Sequence, residues 1–219
     1  MKVLIIIPAY NEEESIEKVI NNLKQNYSQY DYVIINDGSH DHTSEICHKN
    51  KYKIIDLPVN LGLTGAFQTG LKYAYKKGYD YAIQFDADGQ HLPEYIPAMV
   101  DKIEEGYDMV IGSRFVEKPK PRSLRMLGSR VISTAIKITT GVHIADPTSG
   151  MRLFNKTLIR EFAENINYEP EPDTVSFLIK QGVKVAEVQV EMKEREAGES
   201  YLNLSRSIVY MTKMFVSII

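Results

Sequence analysis

The sequence predicts an α/β protein, a single domain built on an open, mostly parallel sheet with helices on both faces. Two observations lead there: apolar runs of strand length, and helical periodicity between them. The runs are Val3-Leu4-Ile5-Ile6-Ile7, Tyr32-Val33-Ile34-Ile35, Tyr81-Ala82-Ile83-Gln84-Phe85 and Met109-Val110-Ile111. They are nearly continuous in β-branched or aromatic residues, so they read as strands buried on both sides. In the first interval Ile16, Val19, Ile20 and Leu23 fall at i, i+3, i+4 and i+7. Ile96, Met99, Val100 and Ile103 repeat that spacing behind Pro93, a residue suited to a first helical turn. Strands and helices alternating in this way form a parallel sheet, because each crossover returns over it with the same hand.

The second half is less regular. A helix is expected from about residue 123 to 140, and a strand where Val188, Val190 and Met192 alternate with Glu187, Gln189 and Glu191. Lys118-Pro119-Lys120-Pro121-Arg122 is a stiff, charged break. It divides the expected catalytic domain, residues 1–202, into halves spanning 1–115 and 116–202, and an amphipathic helix is expected over 203–219.

With 219 residues, 43% apolar and 25% charged, the chain can bury a core without disulfides, which disfavours disordered, collagenous and membrane-embedded classes. Its 26 basic and 29 acidic residues leave a net charge of −3, which argues against a nucleic-acid partner. Cys47 is the only cysteine, so an internal disulfide and a Cys-rich zinc site are both absent and a reducing, cytoplasmic setting fits. The opening apolar run is too short for an export signal, and no stretch reaches the ~20 apolar residues of a membrane span.

Three polar clusters follow directly on predicted strands: Pro8-Ala9-Tyr10-Asn11-Glu12, Asn36-Asp37-Gly38-Ser39 and Asp86-Ala87-Asp88-Gly89-Gln90. Singly, each is an ordinary turn or helix start. In a parallel sheet, however, all three open into one crevice at the carboxyl ends of the strands, where such folds bind ligands. Asp86 and Asp88, two positions apart in a chain leaving a strand, turn both carboxylates the same way. Two hard oxygen donors beside a diphosphate suit Mg²⁺ or Mn²⁺, which would neutralise charge on a departing nucleoside diphosphate. Gln90 offers a carbonyl as a further ligand. No Gly-x-Gly-x-x-Gly follows the first strand and no phosphate-binding Gly-x-x-x-x-Gly-Lys-Ser/Thr occurs, so dehydrogenase and P-loop readings lapse. The 5 histidines lack zinc-site spacing.

Taken in order, these clusters join Asn60-Leu61-Gly62, the continuation to His91, Gly112-Ser113-Arg114, Asp146-Pro147-Thr148-Ser149-Gly150-Met151-Arg152 and Arg195-Glu196-Ala197-Gly198-Glu199-Ser200. The set resembles the family 2 glycosyltransferases of GT-A fold, and among them the dolichyl- or polyprenyl-phosphate mannosyltransferase-like branch, over nearly the whole chain. The resemblance implies an inverting enzyme that moves a sugar from a UDP- or GDP-sugar to a lipid-linked phosphate. It implies that Pro8, Tyr10, Glu12, Asp37 and Ala87 hold the nucleotide-sugar, while Asp86, Asp88 and Gln90 organise metal and diphosphate. Arg195 and Ser200 would close on the pyrophosphate from a late loop. Arg114, Arg125 and Ser129 would grip the acceptor phosphate, a task suited to the fixed fork of arginine donors, with Asp146 and Arg152 on the same side. The competing reading of Arg125 is the solvated face of a helix carrying Leu124, Leu127 and Val131. The chain departs from the pattern at Asn36, where an aspartate is usual, and at Tyr201, where a lysine is usual.

A phosphate nucleophile needs positioning more than deprotonation, whereas an alcohol needs a base, for which Asp173 is the candidate. Two alternatives are a transferase acting on a cell-wall or capsular glycan hydroxyl and a nucleotide-sugar-binding subunit of a membrane complex. The C-terminal stripe Leu204, Ile208, Met211, Phe215 and Ile218, with Arg206 and Lys213 off it, is expected to lie on the inner face of a membrane as an interfacial helix. Its competing reading is packing on the catalytic domain or on a second copy of the chain in a homo-oligomer.

Overall fold

The first strand, β1 (Val3–Ala9), has no solvent-facing side. Leu4 and Ile6 enter one core layer, and Val3, Ile5 and Ile7 enter another across the sheet. Its unbroken aliphatic run is explained by this double burial. The chain is described by a computed structural model over residues 1–165, 171–193 and 204–219, without the side chains of 124, 125 and 204–208.

The other strands are β2 (Asp31–Asn36), β3 (Ile54–Asp56), β4 (Tyr81–Gln84), β5 (Met109–Ser113), β6 (Arg152–Asn155) and β7 (Val185–Gln189). They form one seven-stranded sheet in the order β3-β2-β1-β4-β6-β5-β7. Every pairing is parallel except those of β6 with β4 and β5. The expected sheet is therefore present, with one antiparallel strand inserted at its centre. The alternating pattern around residue 190 lies further along the chain than β7, because past Gln189 only an isolated bridge pairs Met192 with His91.

Helices α1 (Ile16–Asn26), α2 (Thr43–Lys49) and α4 (Ile96–Glu104) cover one face. The other face is covered by α3 (Gly62–Lys77), α5 (Leu124–Thr140), α6 (Lys156–Glu164), α7 (Pro172–Lys180) and α8 (Leu204–Ile218). Local chemistry sets several of their ends. The Ser123 hydroxyl accepts the Met126 N–H at the start of α5, and Asn155 accepts the Leu158 N–H at the start of α6.

The described part of the C-terminal stripe divides, with Met211 and Ile218 turned toward the protein and Phe215 left outside. Met214 and Ile218 are buried and Tyr210 and Met211 partly so, all packed into the layer that holds α5 and α7. Gly128 of α5 lets α8 pass closely, since a Cβ there would lie 2.8 Å from Met211 Cγ. Polar contacts fasten α8 to α7: Tyr210 donates to a Glu171 carboxylate oxygen, Ser217 Oγ to Asp173 Oδ2 at 2.7 Å, and Lys180 Nζ to the Ile218 carbonyl at 3.0 Å. The apolar residues left outside are Val209, Phe215, Val216 and Ile219. Burial took precedence over the i, i+4 stripe because α8 has apolar residues on more than one side. Leu204, Arg206 and Ile208 have side chains outside the described residues.

A similar close approach seats α3 on β1, where a Cβ at Gly70 would fall 2.2 Å from Ile6 Cγ2. Gly70→Ala should therefore push the two apart and lower stability by roughly 1–3 kcal/mol through overpacking. Urea unfolding measures it, and an unchanged midpoint would contradict this contact.

Candidate active site

The register of the parallel strands brings the polar clusters together. Ala9 of β1 pairs with Asn36 of β2, and Ile6 pairs with Gln84 of β4, so the three strands end side by side. Beyond them opens a pocket of about 400 Å³ lined by Pro8, Ala9, Tyr10, Glu12, Asp37, Asp86, Ala87 and Asp88. All of these except Ala9 are residues expected to hold the nucleotide-sugar or its metal. Asn60 and Gly62 of the Asn60-Leu61-Gly62 motif also line it, and so do Leu63 and Ala66 of α3, which no polar pattern announces.

Tight backbone turns shape the walls. Asn11 adopts φ 55°; its N–H donates to Ser39 Oγ and its side-chain oxygen accepts the His40 N–H. The loop after β1 is thereby tied to the loop after β2. Asp37 is buried, with Oδ1 accepting the Leu61 N–H at 2.7 Å. Gly38 has φ +67°, and a Cβ there would lie 2.8 Å from the Asn60 nitrogen, so only glycine permits this approach of the two loops.

The structure accounts for Asn36. Its Nδ2 donates to Asp56 Oδ1 at 2.7 Å, and the same carboxylate accepts from Ser44 Oγ and faces His48 Nε2. Burial raises the Asp56 pKa, but these hydrogen bonds outweigh it and hold the group below the usual carboxylate range. An aspartate at 36 would set one carboxylate against another.

Asp86 and Asp88 lie at the pocket with their loop pinned behind them. The Asp86 N–H donates to His91 Nδ1 at 2.9 Å, which puts the imidazole proton on Nε2, 3.5 Å from Asp86 Oδ2. His91 is buried against the Phe85 ring. Asp88 Oδ1 accepts the Gln90 N–H at 3.0 Å. The expected Gln90 ligand is directed elsewhere: its Nε2 faces the Lys193 carbonyl at 3.4 Å, and it does not line the pocket. Among the described residues no three His, Cys, Asp or Glu side chains form a metal cage. Two carboxylates at an open pocket are nonetheless a donor set that fits Mg²⁺ or Mn²⁺, which keep waters and share substrate phosphates. Beside them, Gln84 Oε1 is the buried side-chain acceptor left without a hydrogen-bond partner among the described residues.

On the other flank Arg114 leaves β5 and meets Asp146, which is fully buried. Nε reaches Oδ2 at 2.7 Å and Nη2 reaches Oδ1 at 2.9 Å, a two-point pair. Burial raises the Asp146 pKa, but the bonds from Arg114 outweigh it and leave the carboxyl lowered. Glu187, which pattern reading left unassigned, accepts the Ala145 and Asp146 N–H groups and holds this loop. Asp146 therefore orients Arg114.

Arg152, expected on the acceptor side, is buried and donates to the carbonyls of Ser149, Pro147 and Glu171. It staples the loop that precedes β6. Ser129 lies on α5, where its hydroxyl accepts from Lys120 Nζ. Asp173 begins α7, with its carboxylate engaged by the Thr174 N–H and Ser217, and it does not line the pocket. Arg125 lies in the first turn of α5, and its side chain is outside the described residues, as are Arg195, Ser200 and Tyr201.

The family model described as Glycosyl transferase family 2 matches residues 4–162. The chain belongs to that family. Among curated relatives, this family 2 glycosyltransferase is 33% identical over 213 residues to the UDP-N-acetylglucosamine–dolichyl-phosphate N-acetylglucosaminyltransferase of Methanococcus voltae, covering 86% of this chain and 84% of the relative. It is 29% identical over 229 residues to the undecaprenyl-phosphate mannosyltransferase of Micrococcus luteus, covering 97% and 93%. Among solved structures, glucosyl-3-phosphoglycerate synthase of Mycobacterium tuberculosis with phosphoglyceric acid matches at a TM-score of 0.74 and 17% identity, covering 99% of this chain and 78% of that one. The same enzyme with Mn²⁺, UDP and phosphoglyceric acid matches at 0.70 and 18% identity, covering 99% and 77%. These neighbours share the GT-A architecture of the α/β sheet.

The family 2 fold thus tolerates asparagine at position 36 because Asp56 is its partner. Asn36→Asp should destabilise the protein at neutral pH, where both carboxylates are charged. The deficit relative to wild type should shrink as pH falls through the carboxylate range, because protonation of either group removes the repulsion. Thermal unfolding of the two forms from pH 7 downward checks this, and a pH-independent difference would refute it.

Proposed function

We propose that this chain transfers a sugar from a UDP- or GDP-sugar to a polyprenyl phosphate. The observation that carries the reading is one pocket built from three strand ends with the Asp86 and Asp88 carboxylates at its floor. The names of the relatives, which act on dolichyl phosphate and undecaprenyl phosphate, point the same way. In this reading residues 1–115 hold the donor and 116–202 the acceptor.

Pro8, Tyr10, Glu12 and Asp37 take the base and ribose, and the loop with Arg195 and Ser200 supplies donors to the pyrophosphate. Asp86 and Asp88 would hold a Mg²⁺ or Mn²⁺ ion, whose chemistry is charge neutralisation on the diphosphate leaving group. His91 keeps Asp86 oriented, because its ring accepts from the Asp86 backbone while facing its carboxylate. Arg114, held by Asp146, directs a guanidinium to the acceptor side, with Ser129 and Arg125 on α5 completing it. The acceptor phosphate is already anionic, so the residues' task is alignment of its oxygen opposite the departing diphosphate, and inversion follows. The engagement of Asp173 with Ser217 of α8 favours this acceptor over a glycan hydroxyl, which would need a base.

Asp88→Asn should lower transfer to a prenyl phosphate by orders of magnitude with the fold retained, and EDTA should do the same to wild type. Radiolabelled-sugar transfer measures both. Full activity in either case would overturn the assignment of this carboxylate pair.

The reading extends to the membrane surface. No helix among the described residues is long and apolar enough to cross a bilayer. Exposed Val131 and Ile138 of α5 and exposed Phe215 with Ile219 at the end of α8 instead line a groove of about 350 Å³, with Arg130 at its edge. This apolar surface would seat on the inner face of the membrane that carries the acceptor. Wild type should float with anionic liposomes, and Ile138→Asp with Val216→Asp should float several-fold less. Equal flotation would reject this surface.

A further inference from the structure

Lys120 stands between two prolines in the break before α5, and its surroundings are unusual for a lysine. Its Nζ donates to Ser129 Oγ and Ser133 Oγ, both at 2.9 Å, one turn apart on α5. It also lies 5.7 Å above the centre of the Phe115 ring, and the Arg114 guanidinium lies 5.2 Å from the same ring. Among the described residues no carboxylate comes within ion-pair distance of this ammonium. The nearest acids are already engaged: Asp146 by Arg114, and Glu187 by two backbone N–H groups.

The backbone is fixed as well. Arg130 Nη2 donates to the carbonyls of Lys120 and Pro121 at 2.6 and 3.3 Å, so the lysine is held in place by its own helix partner. Burial, reinforced by Arg130 and Arg114, pushes the Lys120 pKa down, although Asp146 and Glu187 oppose it. A half-buried cation beside two guanidinium groups, held only by neutral hydroxyls and a ring face, lacks the counter-charge that would offset its desolvation. Ser133 gives its own hydroxyl proton to the Ser129 carbonyl at 2.9 Å, whereas Ser129 retains one to give, and the ammonium has three protons for the two hydroxyls it meets.

We propose that Lys120, with the Ser129 hydroxyl, binds the phosphate of the acceptor and joins Arg114 as its counter-charge. The inference rests on the acceptor reading above and deepens it. The tetrahedral anion settles against the lysine and the Ser129 hydroxyl, and Arg114 approaches it from across the Phe115 ring. A compact ammonium suits this place, because it forms a point contact where a planar guanidinium would need room for its fork.

Binding of farnesyl phosphate, farnesol and inorganic phosphate to the full chain tests this, measured by calorimetry for wild type and Lys120→Gln. The neutral variant should lose affinity for farnesyl phosphate by about tenfold or more, the worth of one charge-assisted hydrogen bond. Its affinity for nucleoside diphosphate should be unchanged. Farnesol should be insensitive to the substitution, and any binding of inorganic phosphate should weaken in parallel. Equal farnesyl phosphate affinity in the two proteins overturns the role of Lys120 alone. A wild type that does not bind farnesyl phosphate overturns the acceptor reading and this inference with it. Should Lys120→Gln not fold, acylation of wild-type lysines decides the matter. Farnesyl phosphate, unlike farnesol, should protect Lys120 from an amine-reactive reagent, and unprotected Lys120 would overturn the proposal.

Discussion

The parallel pairing of β1 with β2 and β4 is the constraint on which the rest of the molecule depends. A strand that is apolar on both faces sets its register weakly, because a shift by one residue still buries an aliphatic side chain. The polar ends supply what the middle lacks. The Asp37 N–H donates to the Ala9 carbonyl, the Phe85 N–H to the Ile6 carbonyl, and the Asn11 N–H to Ser39 Oγ. These bonds lock the three strand ends level, and with them the three walls of the pocket. The residues that make the site are thus also those that fix the register of the sheet beneath it.

The opposite flank is held differently, by buried charge. Arg114 with Asp146, Glu187 with two backbone N–H groups, and Arg152 with three carbonyls form a polar scaffold where β5 and β7 end and β6 begins. Such pairs add little net stability, since desolvation consumes most of the attraction, but losing one partner is costly. Their value lies in direction: each side chain has one satisfied orientation. Asp146 contributes stability fully above the ordinary carboxylate range, and loses it as pH falls through its lowered pKa. The flank that carries Arg114 is therefore tied together by directed bonds.

Much of this was legible in the sequence, and the reasons for the remainder are physical. β1, β2, β4 and β5 could be read because double burial leaves an unbroken apolar run. The long α3 could not, because Gly62, Gly65 and Gly70 interrupt its pattern, and Gly70 is there for the close approach to Ile6. β6 has four residues and includes Arg152, whose burial depends on carbonyls supplied by distant loops. The residues that line the pocket were legible because they follow strands in chain order. Lys120 was read only as part of a charged break, since its meeting with Ser129 and Ser133 depends on how the break folds back over α5. Gln90 and Arg152 show the reverse case, side chains of the expected type whose geometry turns them into fasteners.

The two sides of α8 explain why its apolar residues exceed what one packing seam needs. Met214 and Ile218 face inward and complete the core layer of α5 and α7, while Val209, Val216 and Ile219 remain outside. The inner side is also wired to the flank that carries Arg114. Tyr210 and Ser217 bond to Glu171 and Asp173 at the start of α7, the Glu171 carbonyl accepts from Arg152, and Arg152 holds the carbonyls of Pro147 and Ser149 beside Asp146. The outward apolar face of α8 is thus joined by hydrogen bonds to the loop that holds Arg114. A helix serving only as an anchor would need no such wiring, and one serving only as core would need no apolar outer face.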